Sequence, residues 1–125
     1  QMICGIGVDM TTVERFSKWI ESPNMIDRFF NALEKTSNPN TVFQKEHYAA
    51  RFAAKEAFGK ALGTGITGFN LCDVYIKSES NGKPVLMVTG SAQKMLKKIY
   101  GDCLLHVSLS HERNNAIAVV IIEKK

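Results

Sequence analysis

The sequence is short of cysteine, and its cysteines are badly spaced for a structural role. Cys4, Cys72 and Cys103 are odd in number and none stands in a C-x-x-C pair, which argues against a disulfide framework and against a zinc site. Cys4 and Cys72 lie in apolar runs, so buried, reduced thiols are expected. Long hydrophobic runs are missing as well; nothing approaches the ~20 residues that span a bilayer. The opening QMICGIGVDM has no basic segment leading into such a run, so no signal peptide is expected. The expected location is cytoplasmic, with no membrane partner. Gln1 ahead of Met2 reads as a residue left from cloning. No internal repeat, low-complexity tract or linker interrupts the chain. GTGITG (63–68) lacks the G-K-[ST] ending of a Walker loop. No aromatic-rich basic stretch is present, so a nucleic-acid partner is not expected.

What is present suits one soluble globular domain. The 125 residues are enough to bury a core, and residues 1–125 are expected to form a single domain. Apolar residues make up 45% and charged residues 22%, an ordinary balance. Sixteen Lys and Arg against twelve Asp and Glu give +4, an excess that suits an anionic partner.

ICGIGVD (3–9) reads as a buried strand. Thr11 or Thr12 is placed to cap a helix carrying Val13, Phe16 and Ile20 on one side. Ser22-Pro23 ends it, and Pro23 suits the start of a second helix with Met25, Ile26, Phe29, Phe30 and Leu33 inward. TSNPN (36–40) is a loop. Thr41 and Gln44 fit a capping box at the head of a long helix running to about Leu62, with Gly63 as its stop. LCDVYIKS (71–78) and PVLMV (84–88) read as a hairpin around the SNGKP turn. Ser91–Tyr100 has helical spacing, with Lys94, Lys97 and Lys98 outward. LLHVSLS (104–110) and AIAVVIIE (116–123) form a second hairpin. The expected class is α+β, a largely antiparallel sheet packed on helices that include one long central helix.

RFAAKEAFGK (51–60) lies on that long helix. At ~100° per residue, Ala50, Ala54, Ala57 and Ala61 share one face, while Phe52, Glu56 and Lys60 fall roughly opposite, with Lys45 on the same side. Glu56 and Lys60 then admit two readings. One is a solvated i,i+4 pair contributing ~0.2–0.5 kcal/mol. The other is a metal-ligand carboxylate beside a lysine that holds an anion. Asp9, at the end of the first strand, is either an acid favoured by a following helix dipole or part of a site at the sheet rim. Two carboxylates together are hard oxygen ligands of the kind Mg²⁺ prefers, and no His/Cys cluster offers a softer metal a better site. His111 closes a strand and opens a turn. His47 and His106 read as structural.

The separate pieces also form a recognisable set. GIGVDMTTVERF (5–16), RFAAKEAFGKALGTGI (51–66), SNGKPVL (80–86) and SLSH (108–111) occur in that order. Together they resemble the bacterial holo-acyl-carrier-protein synthases, the small type of 4′-phosphopantetheinyl transferase, over nearly the whole chain. The resemblance implies transfer of 4′-phosphopantetheine from coenzyme A to a serine of apo acyl carrier protein. Adenosine 3′,5′-bisphosphate is released, Mg²⁺ is required, and the product serves fatty acid biosynthesis. It further implies a homotrimer with sites between subunits. Carried over by motif, Asp9 and Glu56 ligate Mg²⁺ and Lys60 holds the pyrophosphate. His111 contacts the nucleotide end. Asn81, Gly82, Lys83 and Pro84 approach the adenine or 3′-phosphate. Arg15 meets the carrier protein, and Trp19 and Arg28 are neighbours there by position. Two rivals use the same features: a non-enzymatic anion-binding domain, and a Mg²⁺-dependent phosphate-ester hydrolase.

Overall fold

A computed structural model describes residues 2–125, so Gln1 lies outside the described residues. The strands are β1 (Met2–Thr12), β2 (Val74–Ser78), β3 (Pro84–Val88), β4 (Cys103–His111) and β5 (Asn115–Lys124). The helices are α1 (Pro23–Phe29), α2 (Thr41–Leu62) and α3 (Gly90–Tyr100). β1, β5 and β4 form one antiparallel sheet in that order, and β2–β3 form a separate two-stranded ribbon. The α+β class expected above is what the chain adopts, with two antiparallel sheets instead of one. No helix is long and apolar enough to cross a membrane among the described residues.

The fold turns on how closely β1 lies against α2. Gly5 and Gly7 face the helix; a Cβ at Gly7 would sit 1.8 Å from the Ala57 carbonyl oxygen, and one at Gly5 2.0 Å from that of Ala61. Only glycine against alanine permits this approach. It also explains why β1 is not the fully buried strand its apolar run suggests. Glycines fill its inner face, so Ile6, Val8 and Met10 point outward and are 64%, 50% and 65% exposed. On β5 the inward row Ala116, Ala118, Val120 and Ile122 is buried.

α2 ends as its sequence suggests. Gly63 takes φ 85°, and its N–H donates to the carbonyls of Gly59 and Lys60. The start differs. Asn40, not Thr41, is the cap, its Oδ1 accepting from Phe43 N at 2.9 Å, while Gln44 Nε2 donates to Asn38 O at 2.7 Å. An asparagine immediately before a threonine offers the better acceptor in the β-region conformation that a cap requires. The helix expected over 13–20 is two 3₁₀ turns, Val13–Phe16 and Trp19–Glu21, and Thr12 makes no side-chain cap. Val13 N instead donates to Asn114 O at 2.9 Å, which holds the turn to the β4–β5 connection. Leu71–Asp73 is likewise a 3₁₀ turn before β2.

Two apolar clusters share α2. One joins Ala53, Ala57 and Phe58 to β5, β2 and α3. The other packs Phe16, Phe30, Tyr48 and Phe52 together. Leu33, expected inward with them, is 73% exposed, because α1 stops at Phe29 and the 3₁₀ turn Ala32–Glu34 turns Glu34 inward instead. Phe52 is therefore core and not part of a solvated stripe, and each such aromatic contributes roughly 1.5–3 kcal/mol by burial. Cys4, Cys72 and Cys103 are free, as expected, although they are only half-buried. His47 is structural: its Nε2–H donates to the Glu34 carbonyl, and burial, followed by the Arg51 charge, depresses its pKa to about 4.

Gly7→Ala tests the close approach. The added methyl forces strand and helix apart, and the loss is at least ~2 kcal/mol in urea or thermal unfolding. An unchanged midpoint would contradict the packing described.

Candidate active site

β1 runs on to Thr12, so Asp9 does not end the strand as expected; it follows Gly7 on the inner face and pairs in register with Ala118. Because Gly7 and Gly5 bring the strand onto α2, Asp9 comes down beside the helix. Lys60 Nζ donates to Asp9 Oδ1 at 3.1 Å and to the Val8 carbonyl at 3.1 Å. Glu56 stands one turn earlier on the same flank, half-buried. Its pKa is raised, first by burial and then by the nearby Asp9 carboxylate; Arg15 and Lys60 pull it down. The Lys60 ammonium is thus shared with Asp9, and the i,i+4 surface pair with Glu56 does not form. Lys45, placed on this side by the wheel, is taken up by Glu14 at 3.1 Å.

Arg15 reaches the same place. Its Nη1 donates to Thr11 Oγ1 at 3.4 Å, and its guanidinium lies 5.1 Å from the Phe52 ring centre and 5.7 Å from that of Trp19. Phe52 is one turn before Glu56. Along this flank the order is therefore Arg15 over Phe52, then Glu56, then Lys60 bonded to Asp9. Two cations bracket two acids, an arrangement that accepts a divalent cation and a polyphosphate together.

The donor set fits Mg²⁺. Asp9 and Glu56 are close enough for one charge to raise the pKa of the other, and both are hard oxygen ligands. No group of three or more His, Cys, Asp or Glu side chains is gathered among the described residues.

The remaining predicted residues lie elsewhere within the chain. Trp19 packs against Phe29 at 5.2 Å between ring centres, and the Arg28 guanidinium lies 5.2 Å from the Phe29 ring. Arg15, Trp19, Phe29 and Arg28 so form a continuous cation–aromatic ladder. Beside it a hollow of about 430 Å³ is lined by Arg28, Phe29, Ile66, Phe69, Asn70 and Leu71. His111 sits across β5 from the β1 row, about two strand spacings or ~10 Å away. Its Nδ1 lies 3.5 Å from Glu46 Oε2. A pocket of about 270 Å³ joins it to Phe43, His47, Arg51 and Leu109. Asn81–Pro84 form the tip of the β2–β3 hairpin, where Asn81 Oδ1 accepts from Lys83 N at 2.9 Å and Gly82 takes φ 86°. No hydrogen bond or ion pair links this tip to Asp9, Glu56 or Lys60 among the described residues. His106 pairs with Glu123 at 2.9 Å on the outer face of the sheet.

Sequence reasoning missed Glu46 and Arg51 beside His111. The wheel held the signal for Arg51, since it falls with His47 on the flank of α2 away from Glu56. Arg15 was assigned only to a partner, yet its charge acts on Glu56.

The family model of the 4′-phosphopantetheinyl transferase superfamily matches residues 5–120. The chain belongs to that superfamily. Holo-[acyl-carrier-protein] synthase of Treponema denticola is 44% identical over 127 residues, covering 98% of this chain and 99% of the relative. That of Clostridium novyi is 42% identical over 123 residues, covering 98% and 88%. Among solved structures, the Neisseria meningitidis synthase superposes with a TM-score of 0.84 at 30% identity, covering 98% of this chain and 100% of that one. The Bacillus anthracis synthase, solved in complex with CoA (3′,5′-ADP), gives 0.78 at 29% identity with full coverage of both chains. These likenesses set the chain among the holo-[acyl-carrier-protein] synthases of the superfamily, as an enzyme. A non-enzymatic anion-binding domain is thereby excluded.

The charges around Glu56 make a prediction that needs no substrate. Its carboxyl is expected to titrate above an ordinary glutamate in a carbon-detected NMR titration. Asp9→Asn removes a like charge and lowers the midpoint, whereas Lys60→Met removes a cation and raises it further. A midpoint unmoved by both substitutions would show that the three groups do not share a site.

Proposed function

We infer that this enzyme transfers 4′-phosphopantetheine from coenzyme A to a serine of apo acyl carrier protein and releases adenosine 3′,5′-bisphosphate. It is Mg²⁺-dependent, cytoplasmic, serves fatty acid biosynthesis, and uses residues 1–125 as one catalytic domain. The observation that carries this reading is the meeting of Asp9, Glu56, Lys60 and Arg15 on one flank of α2. The names of the relatives and the coenzyme A complex of a structural neighbour support it.

Asp9 and Glu56 would hold Mg²⁺, which when bound offsets charge on the phosphate oxygens. Lys60 is half-exposed and, with Asp9 and the Val8 carbonyl taking two of its N–H donors, keeps one for the diphosphate. The serine oxygen attacks the phosphorus that carries pantetheine. A new O–P bond forms, and the bond to the adenosine-side phosphate breaks with its electron pair on the leaving oxygen. The serine proton passes to a base at the acid pair, either Glu56 or a water beside it.

Arg15, Trp19 and Arg28 are the docking surface for the carrier. Such proteins are acidic, so the two guanidiniums steer them in at a rate that falls with salt. The apolar hollow between Phe29, Ile66 and Phe69 takes a side chain of the partner.

His111 and Asn81–Pro84 serve the nucleotide end of coenzyme A from a neighbouring subunit. Two observations support this. Among the described residues no hydrogen bond or ion pair links them to the acid pair, and β1 exposes an apolar row, Ile6, Val8 and Met10, that a second copy would cover. The assembly is a homotrimer.

Incubation with coenzyme A, Mg²⁺ and apo carrier protein is expected to add one phosphopantetheine to the carrier by mass spectrometry. Asp9→Ala and Glu56→Ala each abolish the gain without unfolding the protein. Full activity in either folded variant would sink the assignment, and release of adenosine bisphosphate without carrier would favour the hydrolase. Sedimentation equilibrium is expected at about 42 kDa, three times the 13.9 kDa chain, with Val8→Asp dissociating it. A monomer of wild-type protein would contradict the shared site.

A further inference from the structure

Lys55, next to the proposed metal ligand Glu56, is fully buried, and so is Glu34. Lys55 Nζ donates to Glu34 Oε1 at 2.7 Å, to the Leu71 carbonyl at 3.0 Å, and to the Val74 carbonyl. The same Oε1 accepts from Asn31 N at 3.1 Å, and Oε2 accepts from Ile76 N at 3.1 Å. The ammonium also lies 5.3 Å from the Phe30 ring centre. One ion pair therefore ties three walls together: α2, the turn at 31–34, and the start of β2. Its polar atoms are satisfied, which is the condition for keeping a buried charge pair.

The opposite face of α2 is smooth. Gly5 and Gly7 lie against Ala61 and Ala57, so no large side chain interlocks there. Such a face permits close approach but by itself adds little resistance to rotation; the interlocking side chains of α2, Phe52 and Phe58, lie on its flanks. Directional hydrogen bonds at the back of the helix supply what the front lacks. The consequence for Glu56 is geometric. Its carboxylate lies ~5–6 Å from the helix axis, so a turn of about 10° moves it by about 1 Å.

We propose that the Lys55–Glu34 ion pair is a positioning device that sets the rotation of α2, and so aims Glu56 and Lys60 at Asp9. Lys55 touches neither substrate nor metal; it acts through its neighbour in the helix. The proposal rests on the reading of Asp9, Glu56 and Lys60 given above.

Glu34→Gln keeps the shape of the side chain but removes the charge. Lys55→Arg keeps the charge and changes the reach, and it carries the test if Glu34→Gln does not fold. Both are compared with Leu96→Ala, a core substitution on α3 remote from the pair. Kinetics are measured well below each midpoint, where circular dichroism shows full folding. The expected result is a kcat at least ~10-fold below wild type for the ion-pair variants, since a displacement of about 1 Å at reacting groups costs up to ~100-fold. Leu96→Ala loses thermal stability yet keeps wild-type kcat. Ion-pair variants that lose stability but keep wild-type kcat would overturn the proposal and leave the pair a structural tie. A second readout does not depend on turnover: the crystal structure of the variant is expected to show the Lys60–Asp9 contact broken. An intact contact at 3.1 Å overturns the proposal even if wild-type protein transfers nothing, an outcome that would count separately against the proposed reaction.

Discussion

Everything in the site depends on one backbone contact, the approach of β1 to α2. Two glycines let the strand lie where any side chain would strike a helix carbonyl. That contact carries the end of β1 down to the flank of α2 and delivers Asp9 to Lys60. Without it the two carboxylates belong to different layers of the molecule. The same constraint strips the inner face of β1 of apolar side chains and sends Ile6, Val8 and Met10 outward. The Asp9–Lys60 contact and the exposed apolar row of β1 thus have one cause.

Charge is then arranged by position along a single helix. Lys60 and Glu56 occupy the flank facing Asp9, and Lys55 occupies the back. The first two are open to solvent in part, so their electrostatics are tunable and available to a substrate. Lys55 is sealed, and burial lowers its pKa while Glu34 opposes the shift. Three ionisable residues within one and a half turns of helix are thereby given different environments, one sealed in the core and two at the surface beside Asp9. Arg15 extends the row and links it to the aromatic ladder, so the acid pair and the proposed docking surface share a residue.

Much of this was legible before any coordinates. α2, its glycine stop, both hairpins and the outward lysines of α3 follow from periodicity and turn chemistry. Asp9, Glu56 and Lys60 are legible through the GVD and KEA motifs of the family; on the residues alone Glu56 and Lys60 read equally well as a solvated i,i+4 pair. Other features carried no local signal. Glu34 and Lys55 are 21 residues apart, and nothing in either neighbourhood marks a buried charge. Asn40 and Thr41 are adjacent cap candidates that only backbone geometry separates. β1 reads as buried because its residues are apolar, and only the partner carbonyls reveal that the glycines, not the isoleucine and valine, face inward. The 3₁₀ turns at 13–21 keep apolar spacing that resembles a helix, while tertiary hydrogen bonds to the β4–β5 connection decide otherwise.

The most direct test is a crystal structure with coenzyme A and Mg²⁺ bound. The account predicts one ion touching both Asp9 and Glu56, with the diphosphate within hydrogen-bond reach of Lys60. A diphosphate bound elsewhere, or an ion held by only one of these carboxylates, would contradict it.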